Sequence, residues 1–359
     1  MGNPAPGVQQ FLTQGLTGDA NHVHDNKEPP MNGVLVIDKP AGLTSHDVVN
    51  RIRRTLQQRA VGHLGTLDPL ATGVLPLVTG NMTRLAQFYT DSEKTYEGVI
   101  RFGFATDTYD AEGEPAGPAQ NVKVSLEQLR ELAERFRGRI NQMPPPFSAK
   151  KIHGVPAYKL ARKHKPVQLQ PVQVEVKEFE ILGLVNNGIK ENGALGSGRA
   201  DNSQPGDRAS FRARVASGTY LRSVAHDMGQ QLGCGAHLES LRRTSLGELE
   251  ASDAHSLEEV DAAARKDKVE DLFVHPRKLL PHLPAVTANE ESAARIRNGR
   301  AVNLPELSRA RQVKVFQGQS ELIAIVTRVA GTLFHPKIVL VGDSSKQTGT
   351  GFARARGLS

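Results

Sequence analysis

Asp68 is the residue around which a reaction is most easily built. It lies in VGHLGTLDPLATGVLPLVTG (61–80), a turn-rich and otherwise apolar stretch with no other acid. The proline that follows pushes Asp68 to extended geometry, so its side chain is presented from a loop. Gly62, Gly65 and Gly73 let backbone or a ligand approach closely. An Asp-Pro turn is the commonest use of that dipeptide, yet a carboxylate in apolar surroundings requires a cation or several donors. Arg222, in SGTYLRSVAHD (217–227), can supply the cation. Pairing would hold the carboxylate ionised and oriented, as a nucleophile or base requires. The plainer reading of Arg222 is an exposed arginine on a helix face.

Two further segments carry chemistry. Tyr96, in KTYEGVIRFGF (94–104), falls on the apolar side of a strand; it is either a core tyrosine or an aromatic platform for a planar base. The run KKIHGVPAYKLARKHK (150–165) holds six Lys/Arg, two His and no acid. Solvated faces mix signs, so an unbroken basic run points to a phosphate surface. Its candidate RNA contacts are Lys150, Lys151, His153, Tyr158, Lys159, Arg162 and Lys163, with Tyr158 available for stacking. The preceding MPPPFSA (143–149) stiffens the base of such a loop. Neither a Gly-x-Gly-x-x-Gly after a strand nor a Walker A loop is present. DTYDAEGE (107–114) has the wrong ligand spacing for calcium and reads as an Asx-type turn. One cysteine, Cys234, allows neither an internal disulfide nor a thiolate metal cage. No cofactor and no metal are expected, and the side chains must do the work.

The elements that position these residues are legible as a pattern. VLVID (34–38) is a strand, KPAG (39–42) a turn, and TSHDVVNRIRRTL (44–56) a helix with Thr44 and Asp47 at capping-box spacing. MTRLAQFY (82–89) is helical, and in 94–104 alternation puts Tyr96, Ile100, Phe102 and Phe104 on one strand face. SLEQLRELAERF (125–136) is an amphipathic helix with a second capping box, Ser125 and Gln128. VQVEVKEFEIL (172–182) and RASFRARV (208–215) are strands separated by a polar, flexible insertion at 185–207. GTYLRSVAHDMGQQLG (218–233) is a helix closed by Gly233. From about 285 to 342 a short helix, ESAARIRNG, precedes strands VKVFQ, ELIAIVTRV and KIVLVG. The pattern is mixed α+β with several antiparallel strands, not a regular βαβ alternation.

At 359 residues the chain is long enough for a large core and two domains. No apolar run approaches the ~18–20 residues of a membrane span, and the start lacks a secretory pattern. The expected compartment is the cytoplasm, with no membrane partner. A net charge of +7 is compatible with a polyanionic partner but is weak support for one.

Four segments, in order, resemble the TruB family of tRNA pseudouridine synthases. VLVIDKPAGLTSHDVV is similar to that family's opening motif and GHLGTLDPLATGVLPL to its catalytic motif. SAKKIHGVPAYKLAR is similar to its RNA-clamping insertion, and GTYLRSVAHDMGQQLGCGAHLESLRRTSLG to its third block. The resemblance covers roughly residues 33–250 and departs from the common pattern at Leu64, in the N-terminal tail and in the 185–207 insertion. It implies a pseudouridine-synthase fold, a mixed and largely antiparallel sheet flanked by helices, with a small β-rich PUA-like domain. The implied organisation is a disordered tail at 1–30 and a catalytic domain at 31–280 with its RNA-clamping insertion at about 143–170. A PUA-like RNA-binding domain at 285–343 and a basic tail at 344–359 follow. The implied activity is isomerisation of uridine 55 in the tRNA T-loop. Asp68 is implied as the catalytic aspartate and Arg222 as its ion-pair partner. Tyr96 is implied to stack on the base, His63 to hold the loop with the base flipped out, Leu241 to pack the pocket and Lys39 to lie near the site. The insertion is of the bacterial stand-alone type, which implies binding to the T-arm of tRNA without guide RNA; a monomer is the default expectation.

That chemistry explains a solitary acid. Pseudouridylation breaks N1–C1′, turns the uracil and joins C5 to C1′; nothing is oxidised, so one ionised carboxylate suffices. It can attack the sugar, attack the base or take a sugar proton, and the sequence does not choose. Apolar walls keep water from an intermediate, whereas a second acid would invite hydrolysis, as in glycosidases. The alternative reading is a non-catalytic chaperone that folds tRNA by binding the T-arm. A nucleoside hydrolase is disfavoured, because no water-activating acid or metal site is visible.

Overall fold

The computed structural model describes residues 30–147, 151–152, 155–156, 169–185 and 206–340. The N-terminal tail, most of the basic run, the body of the 185–207 insertion and the C-terminal tail lie outside the described residues.

Continuously apolar strands arise where a sheet is covered on both faces. The chain opens with β1 (Gly33–Lys39), α1 (Ser45–Thr55), β2 (Val61–His63) and β3 (Thr72–Thr79). β1 and β3 pair antiparallel from Gly33↔Thr79 to Lys39↔Gly73. Alternation sends Leu35, Ile37, Leu75 and Leu77 into one core with Val48, Val49 and Ile52 of α1, and sends Val34, Val36, Val74 and Val78 into a second core behind. α1 starts where expected, with the reciprocal Thr44–Asp47 box formed.

The sheet continues through α2 (Ala86–Tyr89), which extends a 3-10 turn over Gly80–Leu85, then β4 (Lys94–Phe102), α3 (Leu126–Glu134) and β5 (Gly138–Gln142). After a small hairpin, β6 (Lys151–Ile152) with β7 (Val155–Pro156), come β8 (Val172–Leu184), β9 (Arg208–Val215), α4 (Leu221–Gln231) and β10 (Ala236–Leu246). β11 (Leu249–Glu250), β12 (Ala254–His255) and α5 (Leu257–Ala264) complete this part. The ten-stranded sheet runs β12-β1-β3-β10-β4-β9-β8-β5, with β2 on β3 and β11 on β10. Only β1–β12 and β3–β10 are parallel among its pairs, so the fold is the expected mixed, largely antiparallel α+β sheet.

A separate five-stranded sheet follows: β13 (Ala285–Thr287), α6 (Glu290–Arg297), β14 (Val302–Asn303), β15 (Gln312–Gln317), β16 (Glu321–Ala330) and β17 (Leu333–Val339), in the order β13-β15-β16-β17-β14. It has its own core around Ile296, Val313, Val315, Ile323 and Phe334. Its Phe316, Leu322, Ile325 and Leu340 enter the core behind β1 and β3.

Three local expectations shift. Phe104 falls outside β4, which ends at Phe102 because Gly103 turns the chain at φ +109°; Phe104 instead packs its ring 4.6 Å from His237. Ser125 caps α3 by accepting from the Gln128 amide, with no return bond from the Gln128 side chain. The last strand spans Leu333–Val339 and not 337–342, because the turn at Gly331 sets pairing in motion earlier and Pro336 is accommodated opposite Val326 at a register shift.

Candidate active site

The loop between β2 and β3 is held by four separate straps. Arg243 of β10, fully buried, donates to the carbonyls of Gly65 (3.1 Å), Thr66 (3.4 Å) and Val74 (2.7 Å). Ser45, the first residue of α1, donates its hydroxyl to the Leu67 carbonyl (3.0 Å) and accepts from the Leu67 amide (2.8 Å). Lys39 Nζ donates to the carbonyls of Pro40 (2.8 Å) and Pro69 (3.2 Å), and the Gly42 amide donates to Pro69 as well (2.9 Å). Gly73, at φ +94°, lets β3 lie against β10; a Cβ there would collide with the Arg243 carbonyl. The loop therefore presents Asp68 from a fixed backbone.

Arg222 meets it. Its Nε lies 2.9 Å from Asp68 Oδ2, an ion pair whose N–H is not aligned on the oxygen. Gln142 of β5 fixes the helix that carries Arg222: its amide donates to the Tyr220 carbonyl (3.0 Å) and accepts from the Tyr220 amide (2.8 Å). Nη1 and Nη2 donate to the carbonyls of Thr108 and Phe147, each at 3.1 Å. Nη1 also lies 3.4 Å from Asp110 Oδ2. Asp110 is an acid the sequence reading did not find. The expected Asx turn is there, Asp110 Oδ1 accepting from Thr108 Oγ1 (2.5 Å) and the Glu112 amide (3.1 Å), while the other oxygen faces the guanidinium. The expectation of a solitary acid is thereby corrected: Arg222 is shared between two carboxylates. Asp110 is sealed behind the guanidinium at 3% exposure, and among the described residues Asp68 is the only acid lining the cavity.

That cavity measures about 480 Å³. Tyr96 and Leu241 line it together with Asp68 and Arg222, with Leu67, Ala71 and Leu221 adding apolar wall and His63 also in the lining. Tyr96 is 9% exposed and part of the main core, so its core and platform readings are compatible. The Asp68 side chain keeps 37% exposure through the mouth, yet the walls around the carboxylate push its pKa up from 3.8. Arg222 and Lys39 pull it down and Asp110 pushes it further up; burial prevails. Lys39 is wholly buried and its pKa falls to about 8 for the same reason, with Glu112 and Asp68 pulling it back. It touches the Asp68 loop without lining the cavity. Burial lowers His63 below its ordinary value, with Arg243 and His46 adding to the effect, and its Nδ1 is buried without a partner among the described residues.

Asp68, Arg222, Tyr96, His63 and Leu241 thus converge, although Leu241 comes from β10, far along the chain. Of the basic-run candidates, Lys150, His153, Tyr158, Lys159, Arg162 and Lys163 lie outside the described residues, and Lys151 is described by its backbone pairing with Pro156. Lys94 also lines the cavity and was passed over in the sequence. Its signal was its place two residues before Tyr96, on the same strand face.

Residues 53–221 match the description "TruB family pseudouridylate synthase (N terminal domain)", and residues 222–283 match "tRNA pseudouridylate synthase B C-terminal domain". A tRNA pseudouridine synthase B of Solibacter usitatus is 47% identical over 313 residues, covering 86% of this chain and 100% of the relative. One of Aquifex aeolicus is 38% identical over 87% of this chain and 100% of its own length. Among solved structures, an archaeal box H/ACA sRNP Nop10-Cbf5 complex superimposes with a TM-score of 0.59 at 22% identity, covering 86% of each chain, which is a likeness of fold.

Proposed function

The chain belongs to the TruB family of pseudouridylate synthases, and from that premise we propose that it isomerises uridine 55 of the tRNA T-loop, with Asp68 as the reacting carboxylate. Its relatives are tRNA pseudouridine synthases, so the substrate class is tRNA and the reaction an isomerisation. The observation that supports the site most directly is the Asp68–Arg222 contact of 2.9 Å at the wall of a cavity faced by Tyr96 and Leu241.

The target uridine leaves its stack at a cost of a few kcal/mol, and its base enters between Tyr96 and the apolar wall. Attack on the sugar, attack on the base and removal of a sugar proton all begin with an ionised Asp68. The N1–C1′ bond breaks, the uracil turns while held by the walls, and C5 bonds to C1′. The C5 proton leaves and N1 gains one, so atoms and electrons balance without a co-reactant. Arg222 keeps the carboxylate oriented and favours its charge against the cost of burial. The apolar lining excludes the water that would divert the reaction to hydrolysis.

Pseudouridine has the mass of uridine, so the test is carbodiimide labelling and primer extension on a T-arm RNA. The wild-type protein is expected to give a stop at uridine 55, and Asp68→Asn to lower the rate by more than about 10³-fold. An unmodified uridine 55 overturns the proposal. An Asp68→Asn protein that keeps full activity in RNA annealing, with no modification by either form, returns the function to a folding chaperone.

A further inference from the structure

The cavity lining also carries a positive charge that has no counter-ion among the described residues. Lys94, the first residue of β4, lines the cavity together with His63, Gly65, Thr66 and Thr90. Its Nζ donates one hydrogen bond, 2.6 Å to the Ser92 carbonyl, and no carboxylate lies within ion-pair distance among the described residues. Arg243 stands behind it. That guanidinium is fully buried, its three hydrogen bonds go to backbone carbonyls, and it too has no acid in contact among the described residues. The two cations converge on one spot: a Cβ built on Gly65 would lie 3.5 Å from Arg243 Nη1 and 3.9 Å from Lys94 Cε. Buried charges are ordinarily paired, because removing them from water is costly. Here the acid that favours the Lys94 charge, Asp91, acts at a distance, while burial and Arg243 lower the amine to about 8.

A cation at a cavity wall with no acid in contact among the described residues, in a lining that includes Thr66 and Thr90, is suited to an anionic oxygen. A flipped nucleotide carries a phosphodiester on each side, and lysine binds phosphate as a point charge. We propose that Lys94, backed by Arg243, is a phosphate subsite that binds one backbone phosphodiester adjoining the nucleotide whose base faces Tyr96. This rests on the tRNA-modifying reading of the cavity.

The test measures binding of a T-arm stem-loop RNA by fluorescence anisotropy across a KCl series, in an Asp68→Asn background so that bound RNA is not converted. Adding Lys94→Gln is expected to weaken binding roughly tenfold and to reduce the slope of log K against log[salt] by about 0.7–0.9. Lys94→Arg is expected to keep the slope. Neutral methylphosphonate linkages placed singly around uridine 55 should weaken binding at one position in the protein that retains Lys94. They should cost nothing more there once Lys94→Gln is present. That walk also works if the glutamine variant does not fold, since it needs only the lysine form. An unchanged slope with Lys94→Gln, or methylphosphonate losses alike at every position, overturns the proposal. Isomerisation is read separately on wild-type protein: a chain that binds through Lys94 and leaves uridine 55 unmodified overturns the proposed function while the subsite stands.

Discussion

The surroundings of Asp68 disfavour its charge, and that sets its response to acid. Because burial raises its pKa, the reactive form is lost at a higher pH than for a solvated aspartate near 3.8. The acid limb of kcat/KM should therefore lie above that value, and a limb at or below it would show that Arg222 prevails. Asp110→Asn has two separable effects. Removing a negative neighbour that raises Asp68 should move the limb to lower pH, while loosening Arg222 should lower kcat, about 10²-fold if the carboxylate shifts by an ångström. A purely structural Asp110 would leave the limb in place. Asp68 and Arg222 were both identifiable in the sequence, but their meeting was implied only by the family resemblance and not by spacing, since they are joined only by the folded sheet. Asp110 escaped because an Asx turn looks the same in sequence wherever its second oxygen points. Lys94 escaped because a lysine opening a strand ordinarily reads as a solvated end.

The elements serve the site through their ends. α1 contributes through its first residue: Ser45 pairs both polar groups of Leu67, one residue before Asp68. Ser45→Ala should cost about 1–3 kcal/mol by leaving those buried groups unpaired, read as a lower urea midpoint at unchanged m. It should also lower kcat more than it raises KM, because the loop loosens where the reacting oxygen is held. Thr44→Ala removes only the cap and should cost about 1 kcal/mol, with catalysis unaffected. β1 and β3 were legible because both faces are apolar, and α1 because its cap is local. The limits of β4 and β17 were not, since Gly103 and the turn at Gly331 end or begin pairing by backbone geometry that the alternation of side chains does not record.

At the scale of the molecule, charge and packing have different reach. Replacing Lys159, Arg162 and Lys163 together by alanine should reduce the salt slope of tRNA binding by roughly 2–3 if all three meet phosphates; an unchanged slope removes the 150–165 run from the RNA interface. The two sheets were foreseen as a pattern of strands, but what joins them was not, because alternation marks a face as apolar without saying what covers it. Phe316, Leu322 and Ile325 of the second sheet share one core with Val34, Val36, Val74 and Val78, and Lys314 Nζ donates to the Leu279 carbonyl at 2.6 Å across the join. A shortened chain ending before Ala285 would strip Phe316, Leu322, Ile325 and Leu340 from the core behind β1 and β3, beneath the very strands that brace the Asp68 loop. Such a truncation should bind a hydrophobic dye and lose its near-ultraviolet dichroism, so its inactivity would report a collapsed scaffold and not a forfeited grip on RNA.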